Sequence, residues 1–207
     1  MSTLVPVVFV VDDEEPVGDS IAMLLRTVGL TARVYRDPRA FLDDYRPEQP
    51  GCLLLDVRMP QLSGLELQQE LIRRNVTLPV IFISGHGDVP MAVEAMRAGA
   101  LDFMQKPFND DELIRRVQKA LEQDAQERAL LERREEIERR WAELTARERE
   151  VARRIADGQA NKVVAAELGI SARTVELHRA RILQKMGVRS LAQLVRILMM
   201  LDPKAAG

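Results

Sequence analysis

The sequence contains almost no cysteine: Cys52 is the single one among 207 residues. One thiol cannot form an internal disulfide bond, which excludes a disulfide-stabilised secreted fold and makes a reducing cytoplasm the expected location. No apolar run approaches the roughly 18 residues that a membrane-spanning helix needs. The first apolar stretch lacks a preceding basic segment and is followed directly by acids, so we expect neither a signal peptide nor a membrane partner.

Charged residues are abundant, at 30% of the chain, but they are unevenly distributed. Residues 1–121 contain 13 Lys and Arg against 18 Asp and Glu, whereas residues 142–207 contain 12 against 7. A basic region behind an acidic one suggests a polyanionic partner for the second, although ordinary variation of surface charge would give the same difference. We therefore divide the chain into a first domain (1–121), a linker (122–141) and a second domain (142–207).

The first domain alternates short apolar runs with helical patterns. The predicted strands are Val7–Val11, Thr31–Tyr35, Gly51–Asp56, Pro79–Ser84 and Leu101–Phe103. Continuous apolar strands that alternate with helices predict a parallel sheet covered on both faces. The expected fold is a doubly wound, flavodoxin-like α/β domain with five strands, in which ligands bind at the carboxyl ends of the strands.

A long helix is predicted next, because residues 110–140 contain no Gly or Pro and are rich in Glu and Arg. The simplest interpretation is a solvated linker helix. A coiled-coil seam is the alternative, but Ala125, Leu130, Leu131 and Ile137 do not follow a clean heptad.

The second domain shows only short helical patterns, each preceded by a capping residue. Predicted caps are Thr145 with Glu148, Asn161, Ser171, and Ser190 with Gln193. Four helices follow from these caps, and the second and third are separated by the turn Gly169–Ser171. This is the spacing of a helix-turn-helix, whose second helix enters the major groove of DNA.

Five chemically active residues fall at the ends of the predicted strands. They are Asp12, Asp13, Asp56, Ser84 and Lys106. Each alone is ordinary turn chemistry, but clustered carboxylates repel one another and are stable mainly around a cation. Oxygen ligands suit Mg²⁺, and an Asp carboxylate can act as a nucleophile that forms an aspartyl phosphate. Lys106 and Ser84 would then hold the phosphate oxygens.

Residues 7–121 resemble the receiver domain of two-component response regulators. The motifs are Val10–Asp13, Leu55–Pro60 with Ser63 and Gly64, Ile83–Asp88, and Lys106–Phe108. The resemblance implies that Asp56 accepts phosphate from a sensor histidine kinase. It also implies Mg²⁺ bound by Asp12, Asp13, Asp56 and the backbone carbonyl of Arg58, with Ser84 and Phe103 at the switch positions.

Two alternatives concern the chemistry of this first domain. His86 lies in a Gly-His-Gly turn, where an exposed loop residue is favoured over a catalytic base, although it could tune water access to the phosphate. A phosphatase with an Asp nucleophile commonly has a second acid two residues later, and Arg58 occupies that position. We therefore expect no turnover of an external substrate, only Mg²⁺-dependent self-phosphorylation and self-dephosphorylation.

The third helix of the second domain has two faces. Val175, His178, Ile182 and Met186 recur at helical spacing and predict a core stripe, in which His178 is packed rather than a ligand. The remaining positions, with one from the preceding helix, are the predicted DNA contacts: Lys162, Arg173, Thr174, Glu176, Leu177, Arg179 and Arg181. A helical bundle that binds RNA or protein, or that has no nucleic-acid role, is the alternative.

The second domain resembles the LuxR-type DNA-binding module over about residues 142–200. The matching segments are Leu144–Val151, Asn161–Ala165 and Ile170–Ser190. With the receiver in front, the chain resembles the NarL/FixJ class, and Gly85–Ala100 and Ser171–Arg179 are most similar to the FixJ subgroup. The resemblance implies dimerisation on phosphorylation, binding to double-stranded promoter DNA, contact with RNA polymerase and activation of transcription.

Overall fold

The computed structural model describes residues 4–85 and 89–201, and they form two compact units divided between Arg128 and Ala129. The first unit contains a five-stranded parallel sheet in the order β2-β1-β3-β4-β5. Its strands are β1 (Val7–Val11), β2 (Thr31–Tyr35), β3 (Gly51–Asp56), β4 (Val80–Ser84) and β5 (Asp102–Gln105). The predicted doubly wound fold is confirmed.

Helices cover both faces of this sheet. They are α1 (Glu15–Thr27), α2 (Pro38–Asp44), α3 (Gly64–Arg73), α4 (Val89–Arg97) and the first part of α5 (Asp110–Ala142). The predicted capping box opens α3, since Ser63 and Glu66 exchange side chain-to-backbone hydrogen bonds. None of the described helices combines the length and apolarity that a membrane crossing requires.

The fifth strand was predicted too early, by one residue at its start and by two at its end. Leu101 belongs to the turn before β5, where its N–H donates to the carbonyl of Val80 at 2.8 Å. Pairing begins only where Asp102 lies opposite Ile81, and it continues to Gln105 opposite Ser84. The polar ends of the strand concealed this register in the sequence.

The core of the first unit is divided by the sheet into two apolar layers. Strand β1 shows the division, because Phe9 and Val11 face one layer and Val8 and Val10 face the other. Cys52 is fully buried in the second layer, and burial raises the pKa of its thiol to about 12. The thiol is therefore protonated and inert in the folded receiver, and its reaction with a thiol reagent reports opening of this core.

Helix α5 confirms the predicted long helix. Within the first unit it buries Leu113, Val117 and Ala120 against the sheet. Further along, Leu130 and Leu131 are 65% and 51% exposed. In contrast, Ile137 is buried in the core of the second unit, so it is not available for a coiled-coil seam.

The second unit has the four predicted short helices, packed with the end of α5. They are α6 (Ala146–Ala156), α7 (Asn161–Leu168), α8 (Ala172–Met186) and α9 (Leu191–Leu201). One capping prediction was wrong: Ala160 is the cap of α7, and Asn161 is its first residue. The side-chain oxygen of Asn161 instead accepts a hydrogen bond from Arg179 Nη1 at 2.8 Å, which ties α8 to α7.

An ion pair between a buried carboxylate and a half-buried lysine stabilises the second unit. Glu148 is only 4% exposed, and its Oε2 lies 2.7 Å from Lys185 Nζ. The same oxygen accepts the N–H of Thr145 at 2.9 Å, which completes the predicted capping box. The bond to Lys185 and then those to Thr145 lower the pKa of Glu148 to about 2 against the opposing effect of burial.

This lowered pKa gives the second unit a predictable acid sensitivity. A carboxyl group with a folded pKa of about 2 and an ordinary value of 4.5 stabilises the fold above pH 4.5. That contribution is lost as the pH falls from 4.5 to about 2. We expect Glu148→Gln to lower stability at pH 7 by about 1–3 kcal/mol, because Lys185 loses its ionised partner.

Thermal unfolding of both proteins across a pH series measures this effect. The difference between wild type and Glu148→Gln should shrink steadily as the solution is acidified below pH 4.5. Glu138→Gln, which removes an exposed carboxylate from α5, is the matched control and should unfold like wild type. A difference that stays constant down to pH 2 would contradict the assigned role of Glu148.

Candidate functional site

Four of the predicted site residues meet at one edge of the sheet. Asp12 directly follows β1, Asp56 ends β3, Ser84 ends β4 and Lys106 directly follows β5. All of these strands run in the same direction, so their carboxyl ends open on the same edge. Strand order, and not proximity in sequence, brings the four together.

Lys106 bridges the two buried carboxylates of this edge. Its Nζ lies 2.7 Å from Asp12 Oδ2 and 2.9 Å from Asp56 Oδ1. Glu14, which sequence reasoning did not single out, places its exposed carboxylate 3.7 Å from the same Nζ. Motif spacing gave no signal for Glu14 beyond its place in the acid cluster after β1.

The electrostatics of the edge follow from burial and pairing. Burial raises the pKa of Asp56 above its ordinary value, and the hydrogen bond and charge of Lys106 oppose this shift. Burial by itself would lower the pKa of Lys106, but its hydrogen bonds to Asp56 and Asp12 outweigh it and raise the value. One ammonium thus balances two carboxylates, and the edge retains a net negative charge.

The backbone around Asp56 holds its side chain in place. The N–H of Arg58 donates to Asp56 Oδ2 at 2.7 Å. Gly64 begins α3 so close to the strand that a Cβ atom there would lie 2.2 Å from the Asp56 carbonyl oxygen. Glycine is therefore required at position 64, because any side chain would push α3 away from the end of β3.

Asp13 is not joined to this pair. Its side chain is exposed, whereas Asp12 and Asp56 are buried. Across residues 4–85 and 89–201, no group of three or more His, Cys, Asp or Glu side chains has the arrangement of a metal site. The donors that the structure does bring together are carboxylate oxygens, the type that Mg²⁺ prefers.

The two predicted switch residues lie on β4 and β5. Ser84 is buried, and its carbonyl accepts the N–H of Lys106 at 2.8 Å. The half-buried ring of Phe103 stacks on Phe82, with 6.3 Å between the ring centroids. His86 lies outside the described residues.

The predicted recognition helix α8 separates apolar and polar faces as expected. Val175, Ile182 and Met186 are buried in the core of the second unit. His178 is half-buried, and its buried Nδ1 has no hydrogen-bond partner among the described residues. Packing against the core is thus shown for three of the four stripe positions.

The opposite face of α8 presents most of the predicted DNA contacts to solvent. Exposed positions are Arg173, Glu176, Leu177 and Arg181 on α8, together with Lys162 on α7. Leu177 is 55% exposed, so the polar face of α8 also presents one large apolar side chain. Two predicted contacts are already engaged: Thr174 Oγ1 bonds to Ser171 Oγ at 2.8 Å, and Arg179 bonds to Asn161.

A parallel sheet with paired carboxylates and a lysine at its carboxyl edge, followed by a helix-turn-helix, is the architecture of a DNA-binding response regulator. Comparison with known families agrees: the response regulator receiver domain matches residues 8–118, and the family described as bacterial regulatory proteins, luxR family, matches residues 142–198. The chain therefore belongs to the response regulators that carry a LuxR-type DNA-binding domain. It is a regulator rather than a classical enzyme, and its family implies a histidine kinase partner, Mg²⁺ in the receiver, and DNA binding.

Individual relatives extend this similarity along nearly the whole chain. The transcriptional regulatory protein FixJ of Azorhizobium caulinodans is 46% identical over 190 residues, covering 92% of this chain and 90% of the relative. The response regulator protein TodT of Pseudomonas putida is 41% identical over 197 residues, covering 95% and 87%.

Solved structures give the same result. The response regulator StyR matches with a TM-score of 0.86 at 43% identity, covering 93% of this chain and 98% of that one. Full-length FixJ from B. japonicum matches with a TM-score of 0.59 at 38% identity, covering 96% and 98%. The predicted receiver, helix-turn-helix and similarity to FixJ are confirmed.

Proposed function

We propose that Asp56 accepts a phosphoryl group from a sensor histidine kinase and that this event controls dimerisation and sequence-specific DNA binding. The observation that carries the proposal is the Asp12–Lys106–Asp56 bridge at the carboxyl edge of the sheet. An Asp56 oxygen attacks phosphorus, the bond from phosphorus to the kinase histidine breaks, and an acyl phosphate forms. Lys106, already 2.9 Å from Asp56, would then pair with a phosphate oxygen.

The proposed Mg²⁺ ligands are Asp12, Asp13, Asp56 and the backbone carbonyl of Arg58. Their fit rests on an all-oxygen donor set and on the excess negative charge left by a single ammonium between two buried carboxylates. When bound, Mg²⁺ neutralises charge on the transferring phosphoryl group. Self-phosphorylation from small phosphodonors and self-dephosphorylation belong to the same proposal.

The proposed switch uses the hydroxyl of Ser84 and the ring of Phe103. A phosphate on Asp56 adds strong acceptor oxygens beside the end of β4, which favours a bond from the Ser84 hydroxyl. Movement there frees space toward which Phe103 turns, away from its present stacking on Phe82. The surface formed by α4, β5 and the start of α5 is thereby repacked, which is how we propose that phosphorylation promotes a homodimer.

The proposed DNA contact is made by the solvent face of α8, with Lys162 of α7 on the backbone. Exposed Arg173, Glu176 and Arg181 supply charged groups, and exposed Leu177 supplies an apolar contact of the kind that a thymine methyl accepts. Binding by one small basic domain is weak and salt-sensitive, so dimerisation supplies much of the affinity. Recruitment of RNA polymerase and activation of transcription complete the proposal.

A gel-shift assay with genomic fragments, with and without a phosphodonor, tests this function. We expect duplex fragments to be retarded, and at lower protein concentration after phosphorylation. Genome-wide mapping of bound DNA in cells would then identify the promoters. Binding to RNA in preference to duplex DNA, or no effect of the phosphodonor, would contradict the proposal.

Substitutions on α8 test the assigned DNA face. Leu177→Ala and Arg173→Ala should each weaken promoter binding by about 1–3 kcal/mol if they contact bases. If Arg173 contacts a phosphate instead, the slope of affinity against salt should fall by about one. Neither side chain is buried, so the thermal stability of the second unit should hold.

Leu131→Ala is the matched control, because it removes a similarly exposed leucine from α5. It should bind the promoter like wild type. If both α8 variants bind the promoter as tightly as wild type, the DNA-binding face must lie on another helix.

A further inference from the structure

An acid–arginine pair attaches α5 to the base of the receiver beyond its last fully buried apolar residue, Ala120. Asp124 is only 3% exposed, and its Oδ2 accepts the N–H of Gly51, the first residue of β3, at 2.9 Å. Arg128 Nε donates to both Asp124 carboxylate oxygens, at 2.9 and 2.8 Å. We call Asp124 and Arg128 the clamp.

Arg128 also binds the loop that precedes β3. Its Nη1 donates to the carbonyl of Pro47 at 2.8 Å, and its Nη2 donates to the carbonyl of Gln49 at 3.0 Å. The guanidinium thus joins α5 to backbone that lies about 80 residues earlier in the chain. A planar group with several fixed donors is suited to such a contact, and lysine could not reproduce it.

The helix loses all side-chain burial directly after the clamp. Every residue from 129 to 135 is exposed, and burial resumes with Ile137 in the core of the second unit. These residues belong to a continuous helix, but they lack the tertiary packing that supplies most helical stability in proteins. This exposed stretch lies within the linker predicted as residues 122–141.

We infer that the clamp is a pair of positioning residues that couples phosphorylation of Asp56 to DNA binding, with residues 129–135 as the hinge. This inference rests on the proposed function. Strand β3 carries Asp56 at one end and Gly51 at the other, about 17 Å apart. Because Gly51 bonds Asp124, α5 leaves the receiver as part of the body that contains the phosphorylation site.

Loss of the clamp lengthens the unsupported stretch backward. Residues 122–128 would then lose their hydrogen bonds to Gly51, Pro47 and Gln49, and the hinge would double in length. A longer hinge transmits less of any rearrangement in the receiver. The clamp therefore contributes to signalling without touching phosphate or DNA.

The test compares full-length wild type with Arg128→Gln. In each we measure phosphate incorporation at Asp56 and the ratio of promoter affinities with and without phosphodonor. Coupling between two sites commonly changes affinity by about 5- to 150-fold. We expect the ratio of promoter affinities to fall from a value in that range in wild type to about twofold in Arg128→Gln. Phosphate incorporation should match wild type. Arg73→Gln, which removes an exposed arginine that pairs with Glu70 on α3 and lies outside the hinge, is the control and should keep the wild-type ratio.

Hydrogen exchange supplies a readout of the hinge itself. In wild type, amides of residues 129–135 should exchange fast and those of residues 122–128 slowly. In Arg128→Gln, fast exchange should extend back to residue 122. Labelling of Cys52 monitors the receiver core, and if it rises, Asp124→Asn/Arg128→Gln replaces the single variant because it removes both charges together.

Two failures are distinguishable. If the DNA affinity of wild type is the same with and without the phosphodonor, the proposed function is wrong. Two other results would overturn the role of the clamp and leave the proposed function in place. One is that the phosphodonor raises the DNA affinity of wild type and of Arg128→Gln equally. The other is that wild type responds to the phosphodonor but its residues 122–128 already exchange fast.

Discussion

An Asp56→Asn variant is expected to incorporate no acid-labile phosphate, either from a histidine kinase or from a small phosphodonor. The amide lacks the negatively charged oxygen that attacks phosphorus, so the acyl phosphate cannot form. In wild type the N–H of Arg58 donates to Asp56 Oδ2. Asparagine has the same shape and keeps one side-chain oxygen that can accept this bond. We therefore expect a folded receiver with labelling at background.

Intact-mass measurement and radiolabelling both check this result. Asp43→Asn, an exposed carboxylate at the end of α2, is the matched control and should label like wild type. The DNA affinity of Asp56→Asn should no longer respond to a phosphodonor. Label retained at the wild-type level in Asp56→Asn would place the phosphoacceptor at another residue.

Lys106→Met is expected to destabilise the receiver strongly at neutral pH. Asp12 and Asp56 are buried, and Lys106 lies within 3 Å of both. Removal of one partner from a buried ion pair leaves an uncompensated charge and typically costs about 3–5 kcal/mol. Urea unfolding monitored by circular dichroism measures the loss, with the exposed Lys119→Met as the matched control.

Magnesium should restore part of the stability that Lys106→Met loses. A divalent ion at Asp12, Asp13 and Asp56 would replace the missing positive charge, so Mg²⁺ should stabilise the variant more than wild type. A variant that is as stable as wild type, or that ignores Mg²⁺, would contradict the electrostatic account of this edge.

The same bridge predicts how wild type responds to alkali. The pKa of Lys106 is raised above its ordinary value of 10.5 by its hydrogen bonds to the two carboxylates. A raised amine pKa contributes stability that is fully present below pH 10.5 and is lost as the pH rises through the folded value. The stability difference between wild type and Lys106→Met should accordingly narrow only in strongly alkaline solution.

Local patterns were sufficient for most of the fold because hydrophobic periodicity is a short-range property. The buried runs of β1 and β3 and the capping boxes at Ser63 and Thr145 were predicted where the structure has them, and β4 begins one residue later than predicted. The prediction for β5 was less accurate because polar Asp102 and Gln105 end that strand. There the register is set by pairing with β4, which leaves no apolar signature.

Contacts between distant segments account for what sequence patterns missed. Asn161 is a residue type that commonly caps helices, yet its side chain instead accepts a hydrogen bond from Arg179 on the next helix. In the sequence, Asp124 and Arg128 look like any other acid–arginine pair of the linker. Nothing in it indicates that Asp124 accepts a hydrogen bond from the N–H of Gly51 or that Arg128 donates one to the carbonyl of Pro47. Only the folded chain distinguishes this buried pair from the exposed Arg134–Glu138 pair further along.

The amino-acid sequence by itself determined the two modules, the parallel sheet and the assembly of Asp12, Asp56, Ser84 and Lys106 at one edge, because parallel strands necessarily end on the same side. Only the tertiary structure decided that Lys106 bridges the two buried carboxylates, that Asp13 stays exposed, and where support for α5 ends. Those outcomes depend on distances between side chains far apart in the chain. Burial and hydrogen bonding set such distances, and periodicity does not encode them.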